Sequence, residues 1–322
     1  MDLNIPLDPF PVGLSPMDDI TDLPFRQLCK EFGASPLVTE FIASEALNRD
    51  AEKSLRKMRF TPEQRPLGIQ VFGADEEELL RCLEVVEQAE PDFIDINWGC
   101  PVRKVAGRGA GSGILQDIPK MLRITAALVR RATRPVTVKT RLSYSADTMP
   151  VTDFAEGLQD CGIAALTIHG RTKSQMYTGQ ADWTMIGQVK SNPRIHIPIF
   201  GNGDITTAAQ MLEARERYGV DGILIGRAAI GNPWIFEQCR RALEGLPERE
   251  ITLAERAAVC RRHFRAAVED KGERTAVFEM RKHYAGYFRG IPNFKPFRLA
   301  LCSAPTAAAV EEILEGLGEH WQ

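Results

Sequence analysis

The chain alternates short apolar runs with longer amphipathic runs from residue 11 to about residue 245. The apolar runs are rich in β-branched residues, which is typical of strands that are buried on both faces. Eight of these runs are predicted as strands: 11–17, 37–42, 67–72, 93–98, 135–142, 164–169, 197–202 and 222–227. The segments between them include 75–89 and 206–217, where apolar residues recur at helical spacing.

This alternation predicts a parallel sheet, and eight strand–helix units favour a closed α/β structure, the (β/α)₈ TIM barrel. A doubly wound open sheet is the alternative, but the chain lacks an early Gly-x-Gly-x-x-Gly turn. The glycine-rich stretch 107–113 follows a loop and not a strand. We therefore interpret it as a mobile loop near the site and not as a dinucleotide fingerprint.

The pattern changes after about residue 250, where no further strand is predicted. Helices are expected at 252–272, 273–290, 294–302 and 305–318. We predict two domains: a barrel at 1–248 and a small C-terminal helical domain at 249–322. The Gly245-Leu246-Pro247 break would link them.

Composition places the chain among ordinary folded proteins, with 44% hydrophobic and 26% charged residues in a total of 322. Its seven cysteines form no Cys-x-x-Cys pair and its five histidines are scattered, so we expect a reduced, cytoplasmic protein without a metal site. The first residues lack the basic and apolar regions of a signal peptide, and no apolar run approaches the ~20 residues of a membrane helix. We expect a monomer.

Polar residues or glycines stand at the end of every predicted strand. They are Ser15-Pro16-Met17, Glu40, Gln70, Asn97 with Cys100, Lys139 with Arg141, His169 with Arg171, Asn202-Gly203-Asp204, and Gly226-Arg227. Active sites of TIM barrels lie where the strands end and the following loops begin. A ring of this extent therefore predicts an active site.

Two glycine-containing segments, GNGD at 201–204 and IGR at 225–227, follow the seventh and eighth strands. Barrels commonly bind a phosphate there, through main-chain N–H groups and a helix N-terminus. Arg227 would add a charge-assisted contact. The two segments predict a substrate or cofactor that carries a phosphate.

Lys139 lies within an otherwise apolar strand and shares its face with Arg141. The lysine could form a Schiff base, stand as a fixed cation beside an anionic cofactor, or pair with an acid of a neighbouring strand. Two cations on one face favour an anionic or carbonyl-rich ring. Cys100 lies in a Gly-Cys-Pro turn at a strand exit, where a thiol that is protonated near neutral pH could act as an acid.

Taken together, the motifs resemble those of the tRNA-dihydrouridine synthases, which are FMN-dependent enzymes that reduce specific uridines in tRNA. The resemblance rests on the segments 15–26, 95–115, 138–142, 169–183, 201–205, 225–236 and 280–292. It implies a catalytic barrel followed by a helical tRNA-binding domain, with NADPH or NADH as the reductant. Two departures from the family pattern are Trp98 and the Ser-Tyr-Ser stretch at 143–145.

The same resemblance assigns roles to individual residues. It implies that Cys100 donates a proton to C5 of the uracil. It places the flavin contacts on Pro16, Met17, Asp18, Gln70, Lys139 and His169, and the phosphate contacts on Asn202, Gly203, Asp204, Gly226 and Arg227. It places the substrate around Asn97, Arg141 and Arg171.

Other function classes compete with this one. A small-molecule flavin barrel, such as a dihydroorotate-dehydrogenase-like enzyme, would not need the helical region. A lysine aldolase would use Lys139 as its nucleophile. An RNA-binding or regulatory protein without catalysis would carry no flavin.

The net charge of −3 at first argues against a polyanionic partner. The charge is unevenly distributed, however, because residues 251–300 contain eleven lysines and arginines but only five acids. Aromatic residues such as Tyr284 and Phe288 accompany these cations. The segment therefore predicts a tRNA-binding surface that includes Arg281 and Lys282.

Overall fold

The structure is a computed structural model that describes Ile5 and residues 7–320. Within these residues it contains nine parallel strands that follow the predicted order. They are β1 (Val12–Leu14), β2 (Leu37–Val38), β3 (Ile42–Ala43), β4 (Leu67–Phe72), β5 (Phe93–Trp98), β6 (Val136–Arg141), β7 (Ala165–His169), β8 (Ile199–Asn202) and β9 (Gly222–Ile225).

The α-helices surround this sheet and continue beyond it. In the barrel region they are α1 (Leu23–Glu31), α2 (Ser44–Leu47), α3 (Glu52–Met58), α4 (Glu76–Gln88), α5 (Arg103–Ala106), α6 (Ile118–Arg131), α7 (Val151–Asp160), α8 (Thr184–Ser191), α9 (Ala208–Tyr218) and α10 (Trp234–Leu243). In the C-terminal region they are α11 (Leu253–Lys271), α12 (Glu273–Glu279), α13 (Arg281–Tyr287), α14 (Lys295–Ser303) and α15 (Ala307–His320). No helix of the described residues is both long enough and apolar enough to cross a membrane.

The sheet forms a barrel, as predicted, and the open-sheet alternative is wrong. The strands from β4 to β9 pair in sequence order, and β1 pairs with β9 through the register Val12 to Ile223. Two main-chain hydrogen bonds connect the first strand to the segment before β2: Leu14 N–H to Pro36 O at 3.2 Å and Ser35 N–H to Val12 O at 3.0 Å. The carboxyl ends of all strands therefore meet at one mouth.

The second predicted strand, 37–42, is interrupted, and its two parts β2 and β3 both pair with β4. The interruption contains Glu40, whose buried carboxylate accepts the Asp19 N–H at 2.7 Å. Periodicity could not predict this break, because a loop distant in sequence holds the Glu40 side chain.

Several helices begin at residues suited to capping. Side chains of Asp22, Asp75, Asp117, Thr207 and Thr252 each accept a main-chain N–H in the first turn of α1, α4, α6, α9 and α11. A side-chain oxygen at this position satisfies a donor that the helix itself leaves unpaired. These caps set the helix starts within two residues of the boundaries predicted for α4, α9 and α11.

The C-terminal region is helical in the described residues, as predicted. The segment expected as one helix at 273–290 is two, α12 and α13, which meet at Met280. These helices enclose a second apolar core around Phe264 and Tyr287, which also takes in Leu28 of α1 and Trp234 of α10. The helical region therefore shares buried residues with the outer helices of the barrel, and the connection at 244–252 contains the predicted Gly-Leu-Pro break.

Helix α13 packs directly on the loop that follows β9. A Cβ atom added to Gly286 would lie 1.8 Å from the carbonyl oxygen of Ile230, and one added to Gly231 would lie 2.2 Å from the carbonyl oxygen of His283. Gly231 also has a φ of 63°, which favours glycine. The two glycines allow main chain to contact main chain, and this places the end of α13 beside the barrel mouth.

We expect Gly286→Ala to lower the free energy of unfolding by about 1–3 kcal/mol, because the new methyl group overlaps the Ile230 carbonyl. In an unobstructed helix the same change would stabilise by about 1 kcal/mol. The measurement is chemical denaturation of both proteins. Ala285→Ser, at an exposed neighbouring position, is the control and should change stability little. A stabilised Gly286→Ala protein would contradict the close contact.

Candidate active site

A cavity of about 640 Å³ opens at the carboxyl ends of the strands. Its volume is in the range of pockets that hold small molecules, about 300–1,000 Å³. The predicted residues that line it are Pro16, Met17, Asp18, Asn97, Cys100, Lys139, Arg141, His169, Asn202, Gly203, Asp204, Gly226 and Arg227. The ring predicted from the strand ends is therefore brought together in one place.

The Cys100 thiol lies in a turn that is fixed from two sides. The Cys100 N–H donates to Asn97 Oδ1 at 2.8 Å, and its carbonyl oxygen accepts from the Ser112 hydroxyl at 2.8 Å. Ser112 belongs to the glycine-rich stretch, which lies near the site as predicted but is buried from Ala110 to Leu115. Burial raises the pKa of the thiol, although Arg141 and Lys139 oppose that shift. The group therefore holds its proton at neutral pH.

Lys139 points into the cavity from the middle of β6. Its ammonium donates to Asn202 Oδ1 at 3.0 Å, and Asn202 in turn donates to the Leu224 carbonyl at 2.7 Å. Burial lowers the pKa of Lys139 to about 8, and repulsion by Arg141 adds to the effect. Lys139 is thus a cation at neutral pH that has lost much of its hydration. An anionic ligand would offset the free-energy cost of that lost hydration.

Arg141 joins the loops after β5 and β7. Its Nε donates to the Gly99 carbonyl at 2.9 Å, and its Nη1 donates to the carbonyls of Thr172 and Met176, both at 2.8 Å. Burial lowers its pKa to about 10, so it stays charged at neutral pH. The guanidinium therefore holds the Cys100 turn in place while it faces the cavity.

His169 presents a buried ring nitrogen to the same cavity. Its Nδ1 has no hydrogen-bond partner among the described residues, although the side chain is only 8% exposed. Burial and the nearby Lys139 and Arg141 lower its pKa to about 2, so the imidazole is neutral. A buried polar atom without a partner is costly, so this nitrogen is available to a ligand atom in the cavity.

The loop after β8 is held by a shared carboxylate. Asp204 accepts two hydrogen bonds from Arg171 at 3.0 and 2.6 Å, one from Arg227 at 2.9 Å and one from the Ala181 N–H at 2.8 Å. Burial raises the pKa of Asp204, but these hydrogen bonds outweigh it and the pKa lies below its usual value. The carboxylate is therefore ionised and anchors the loop.

The same loop has the backbone of an anion cradle. Gly203 and Asp204 have φ values of 132° and 57°, and a Cβ atom on Gly203 would lie 2.7 Å from that of Ala181. Their main-chain N–H groups have no acceptor among the described residues. Successive N–H groups in such a turn form a concave site for an anion, so the predicted phosphate position is supplied with donors.

Three acidic oxygens at the edge of the cavity, from Asp18, Asp19 and Glu40, lie within 4.8 Å of one another. Lysines supply the countercharge. Lys57 pairs with Asp18 and, at 3.3 Å, with Glu40, while Lys53 lies 3.6 Å from Asp19. The three carboxylates and the two lysines thus form an ion-pair network beside the loop that follows β1, which we call the first loop.

Two of the ligand contacts predicted at strand ends, Gln70 and Arg171, lie outside the cavity lining. Gln70 is fully buried in the middle of β4, and its amide is hydrogen-bonded to Asp95 and Asn97. Arg171 follows β7, is 2% exposed and donates to Asp204 and to nearby carbonyls. The sequence could not show that both side chains would be buried and bound to neighbouring residues.

The predicted basic surface is smaller than its charge suggests. Arg261 and Arg265 pair with Glu311 of the acidic helix α15, and Arg262 pairs with Glu31 of the barrel. Such pairing between distant segments cannot be read from local net charge.

The two substrate contacts predicted in this region, Arg281 and Lys282, do not line the cavity. Arg281 is half-buried, with its guanidinium 5.0 Å from the centre of the Phe278 ring. Lys282 is exposed and donates to the carbonyl oxygen of Asp19. Lys282 thus lies beside the first loop of the barrel, close to the edge of the cavity.

Arg289 and Tyr177 are among the cavity residues that were not singled out from the sequence. Arg289, just beyond α13, lines the cavity and is exposed, with no ion-pair partner in the described part of the chain. Tyr177 lies between the guanidinium groups of Arg141 and Arg227, at 5.6 and 5.1 Å. Both residues occur within the motifs that carried the resemblance, but the spacing of residues in those motifs gave no reason to predict that they line the cavity.

The two departures from the family pattern lie outside the cavity lining. Trp98 is fully buried and donates to the Thr125 hydroxyl of α6 at 3.1 Å. Tyr144 contacts the Lys173 ammonium, which lies 4.6 Å from the centre of its ring. Neither substitution alters the residues that face the cavity.

Comparison with known proteins gives a consistent family assignment. The family model described as dihydrouridine synthase (Dus) matches residues 13–317. A probable tRNA-dihydrouridine synthase of Rickettsia conorii is 35% identical over 301 residues, which is 93% of this chain and 90% of the relative. A tRNA-dihydrouridine synthase B of Xanthomonas campestris is 36% identical and covers 92% of this chain and 90% of its own.

Among solved structures, histamine dehydrogenase from Rhizobium sp. 4-9 superposes with a TM-score of 0.57 at 12% identity. The match covers 80% of this chain and 49% of the dehydrogenase, so the chain spans about half the length of that protein. At this identity the similarity concerns the fold, and it agrees with the barrel.

We expect Lys139→Met to raise the free energy of unfolding of the ligand-free protein at pH 7 by about 1–3 kcal/mol. A lysine whose folded pKa is about 8 binds its proton less tightly than in the unfolded chain, near 10.5, so its charge destabilises the fold below pH 8. The advantage of the variant should shrink as the pH rises from 8 to 10.5. Denaturation at several pH values measures it. A pH-independent difference would contradict the lowered pKa.

Proposed function

The chain belongs to the dihydrouridine synthase family of flavin-dependent oxidoreductases, and we propose that it reduces the C5–C6 double bond of specific tRNA uridines to 5,6-dihydrouridine. We further propose that FMN is the flavin and that NADPH or NADH reduces it. The observation that carries the proposal is the arrangement of the cavity, in which a protonated thiol, two cations and an anion cradle face one space.

The residues present fit a flavin phosphate and ring. Gly203, Asp204, Gly226 and Arg227 would hold the phosphate through main-chain N–H groups and the guanidinium. The unpaired His169 Nδ1 would meet a polar atom of the cofactor. When bound, FMN supplies the hydride that is added to C6 of the uracil.

Lys139 and the first loop complete the cofactor site. The partly dehydrated ammonium would stabilise negative charge on the flavin ring, and Pro16, Met17 and Asp18 would border the ring. Gln70 would act through Asn97, which donates to it, because Gln70 is itself fully buried and does not line the cavity.

Cys100 would donate the proton that the reaction requires at C5. Its raised pKa keeps the thiol protonated until charge develops on the uracil ring. Arg141 lies behind the turn and lowers the cost of the thiolate that remains, which solvent then reprotonates. Asn97 and Arg141 would border the uracil, and Arg171 would act by holding Asp204 and the β8 loop.

The tRNA would reach the site along the helical region, for which we propose the domain 249–322. The target uridine must leave its stack to enter the cavity, at a cost of a few kcal/mol that other contacts must offset. Arg289 is well placed to bind a phosphate at the mouth, with Arg281 and Lys282 as neighbouring contacts. We expect the protein to act in the cytoplasm, where tRNA is available, and as a monomer.

A small-molecule flavin oxidoreductase of the dihydroorotate dehydrogenase kind is the second candidate function. It would share the flavin cradle but would have no use for the exposed Arg289. The family membership favours tRNA as the substrate.

We expect tRNA from a strain that lacks this protein to lose dihydrouridine at specific positions, as measured by mass spectrometry of digested tRNA. Wild-type protein should restore it, whereas Cys100→Ala should form it about 10²–10⁴-fold more slowly, because the positioned acid is missing. Purified Cys100→Ala should still be yellow and should be bleached by NADPH.

Cys302→Ala removes a half-exposed thiol of α14 and is the matched control, with normal activity expected. Near-normal turnover in Cys100→Ala would remove this thiol from the mechanism. Unchanged dihydrouridine in the deletion strain would reject the proposed function.

We expect Arg289→Ala to weaken tRNA binding about three- to tenfold at low salt and to reduce the slope of log affinity against log salt by about one, since one phosphate contact is lost. Binding is measured by fluorescence anisotropy at several salt concentrations. Arg265→Ala removes the same charge from a residue that is already paired with Glu311, so it should have little effect. Equal effects of the two variants would indicate general electrostatics and not a contact at the mouth.

A further inference from the structure

Asp95 is a buried carboxylate inside the barrel to which the proposed function gives no part. It lies in β5, is 4% exposed and does not line the main cavity. Burying a carboxylate is expensive unless hydrogen bonds compensate it. Its partners therefore show what it does.

The strand register assembles those partners. Asp95 is paired with Gln70 of β4 on one side and with Thr137 of β6 on the other. Gln70 Nε2 donates to Asp95 Oδ2 at 2.5 Å, and the Thr137 hydroxyl donates to Oδ1. Both carboxylate oxygens thus accept, and these hydrogen bonds oppose the rise in the pKa of Asp95 that burial causes.

From Gln70 the hydrogen bonds continue to the Cys100 turn. Asn97 Nδ2 donates to Gln70 Oε1 at 2.8 Å. Asn97 Oδ1 then accepts the main-chain N–H groups of Gly99 and Cys100, at 2.9 and 2.8 Å. Two side-chain amides in series connect the carboxylate to the residue that carries the thiol.

The direction of this series is determined at the Cys100 end. Main-chain N–H groups can only donate, so Asn97 must turn its oxygen toward Gly99 and Cys100 and its NH₂ group toward Gln70. Gln70 must then turn its oxygen toward Asn97 and its NH₂ group toward Asp95, which accepts. Each of the two side-chain amides therefore has only one orientation in which all of its hydrogen bonds are satisfied.

We propose that Asp95 is a positioning residue for the reaction, which fixes the amides of Gln70 and Asn97 in series and thereby the turn that presents the Cys100 thiol to the substrate. The proposal rests on the proposed role of Cys100 as the proton donor. It predicts that loss of Asp95 impairs proton delivery to the uracil and leaves reduction of the flavin intact.

The test compares Asp95→Ala, Asp95→Asn and wild type in the two half-reactions, followed by stopped-flow absorbance. Asp95→Ala should slow transfer to tRNA about 10- to 100-fold, the usual cost of losing a group that orients a reacting residue. Reduction by NADPH should stay within about twofold of wild type. Asp95→Asn keeps an oxygen that can accept from Gln70, so it should recover most of the activity.

A second measurement does not depend on turnover. The rate at which iodoacetamide alkylates Cys100 in the flavin-free proteins, followed by mass spectrometry, should change in Asp95→Ala and in Gln70→Leu and should return toward wild type in Asp95→Asn. The double variant Asp95→Ala with Gln70→Leu should be alkylated at the same rate as the more affected single variant. Both substitutions interrupt the same series of hydrogen bonds, so their effects should not add.

Equal slowing of both half-reactions, or unchanged alkylation of Cys100 in Asp95→Ala, would overturn the proposal. Additive effects of the two substitutions would do the same. If wild-type protein transfers nothing to tRNA, the proposed function fails, but the alkylation rates still decide whether Asp95 positions the Cys100 turn.

Discussion

The structure depends above all on how the barrel mouth accommodates buried positive charge. Arg141 and Arg171 are 3% and 2% exposed, and Lys139 lies beside them at the end of the same parallel strands. Carbonyl oxygens and Asp204 satisfy the arginines, while Lys139 has one hydrogen bond, to Asn202. Asp204 neutralises Arg171, whereas Arg141 and Lys139 have no ion-pair partner among the described residues, so these two cations give the cavity a positive potential that favours an anionic ligand.

The contact between the helical region and the barrel adds a further cation, Arg289, to the cavity lining. Gly286 and Gly231 allow α13 to lie against the loop after β9, the loop that also carries Gly226 and Arg227. Arg289 follows within a turn of the contact and reaches the cavity. One close approach of two main chains therefore brings Arg289 to the same cavity as the proposed phosphate cradle.

Local patterns predicted the barrel because each strand and helix is specified by its own residues. Continuous apolar runs predicted the strands, and apolar residues at helical spacing predicted helices such as 75–89, whose start the structure shows capped by Asp75. What the sequence could not predict were partners distant in the chain. Arg265 pairs with Glu311, which makes the basic surface smaller than its charge suggests, and Gln70 is buried with hydrogen bonds to Asp95 and Asn97.

Burial and the neighbouring cations shift the pKa of the Cys100 thiol in opposite directions. Burial raises the pKa of Cys100, which preserves the proton, whereas Arg141 and Lys139 lower it. A main-chain hydrogen bond from Val102 opposes the effect of burial first, and the charges of Arg141 and Lys139 add to it, but burial prevails and the thiol keeps its proton. The same hydrogen bond and charges would stabilise the thiolate that the proposed proton transfer leaves. Because Arg141 donates to the Gly99 carbonyl, one residue both holds the turn in place and contributes to this stabilisation.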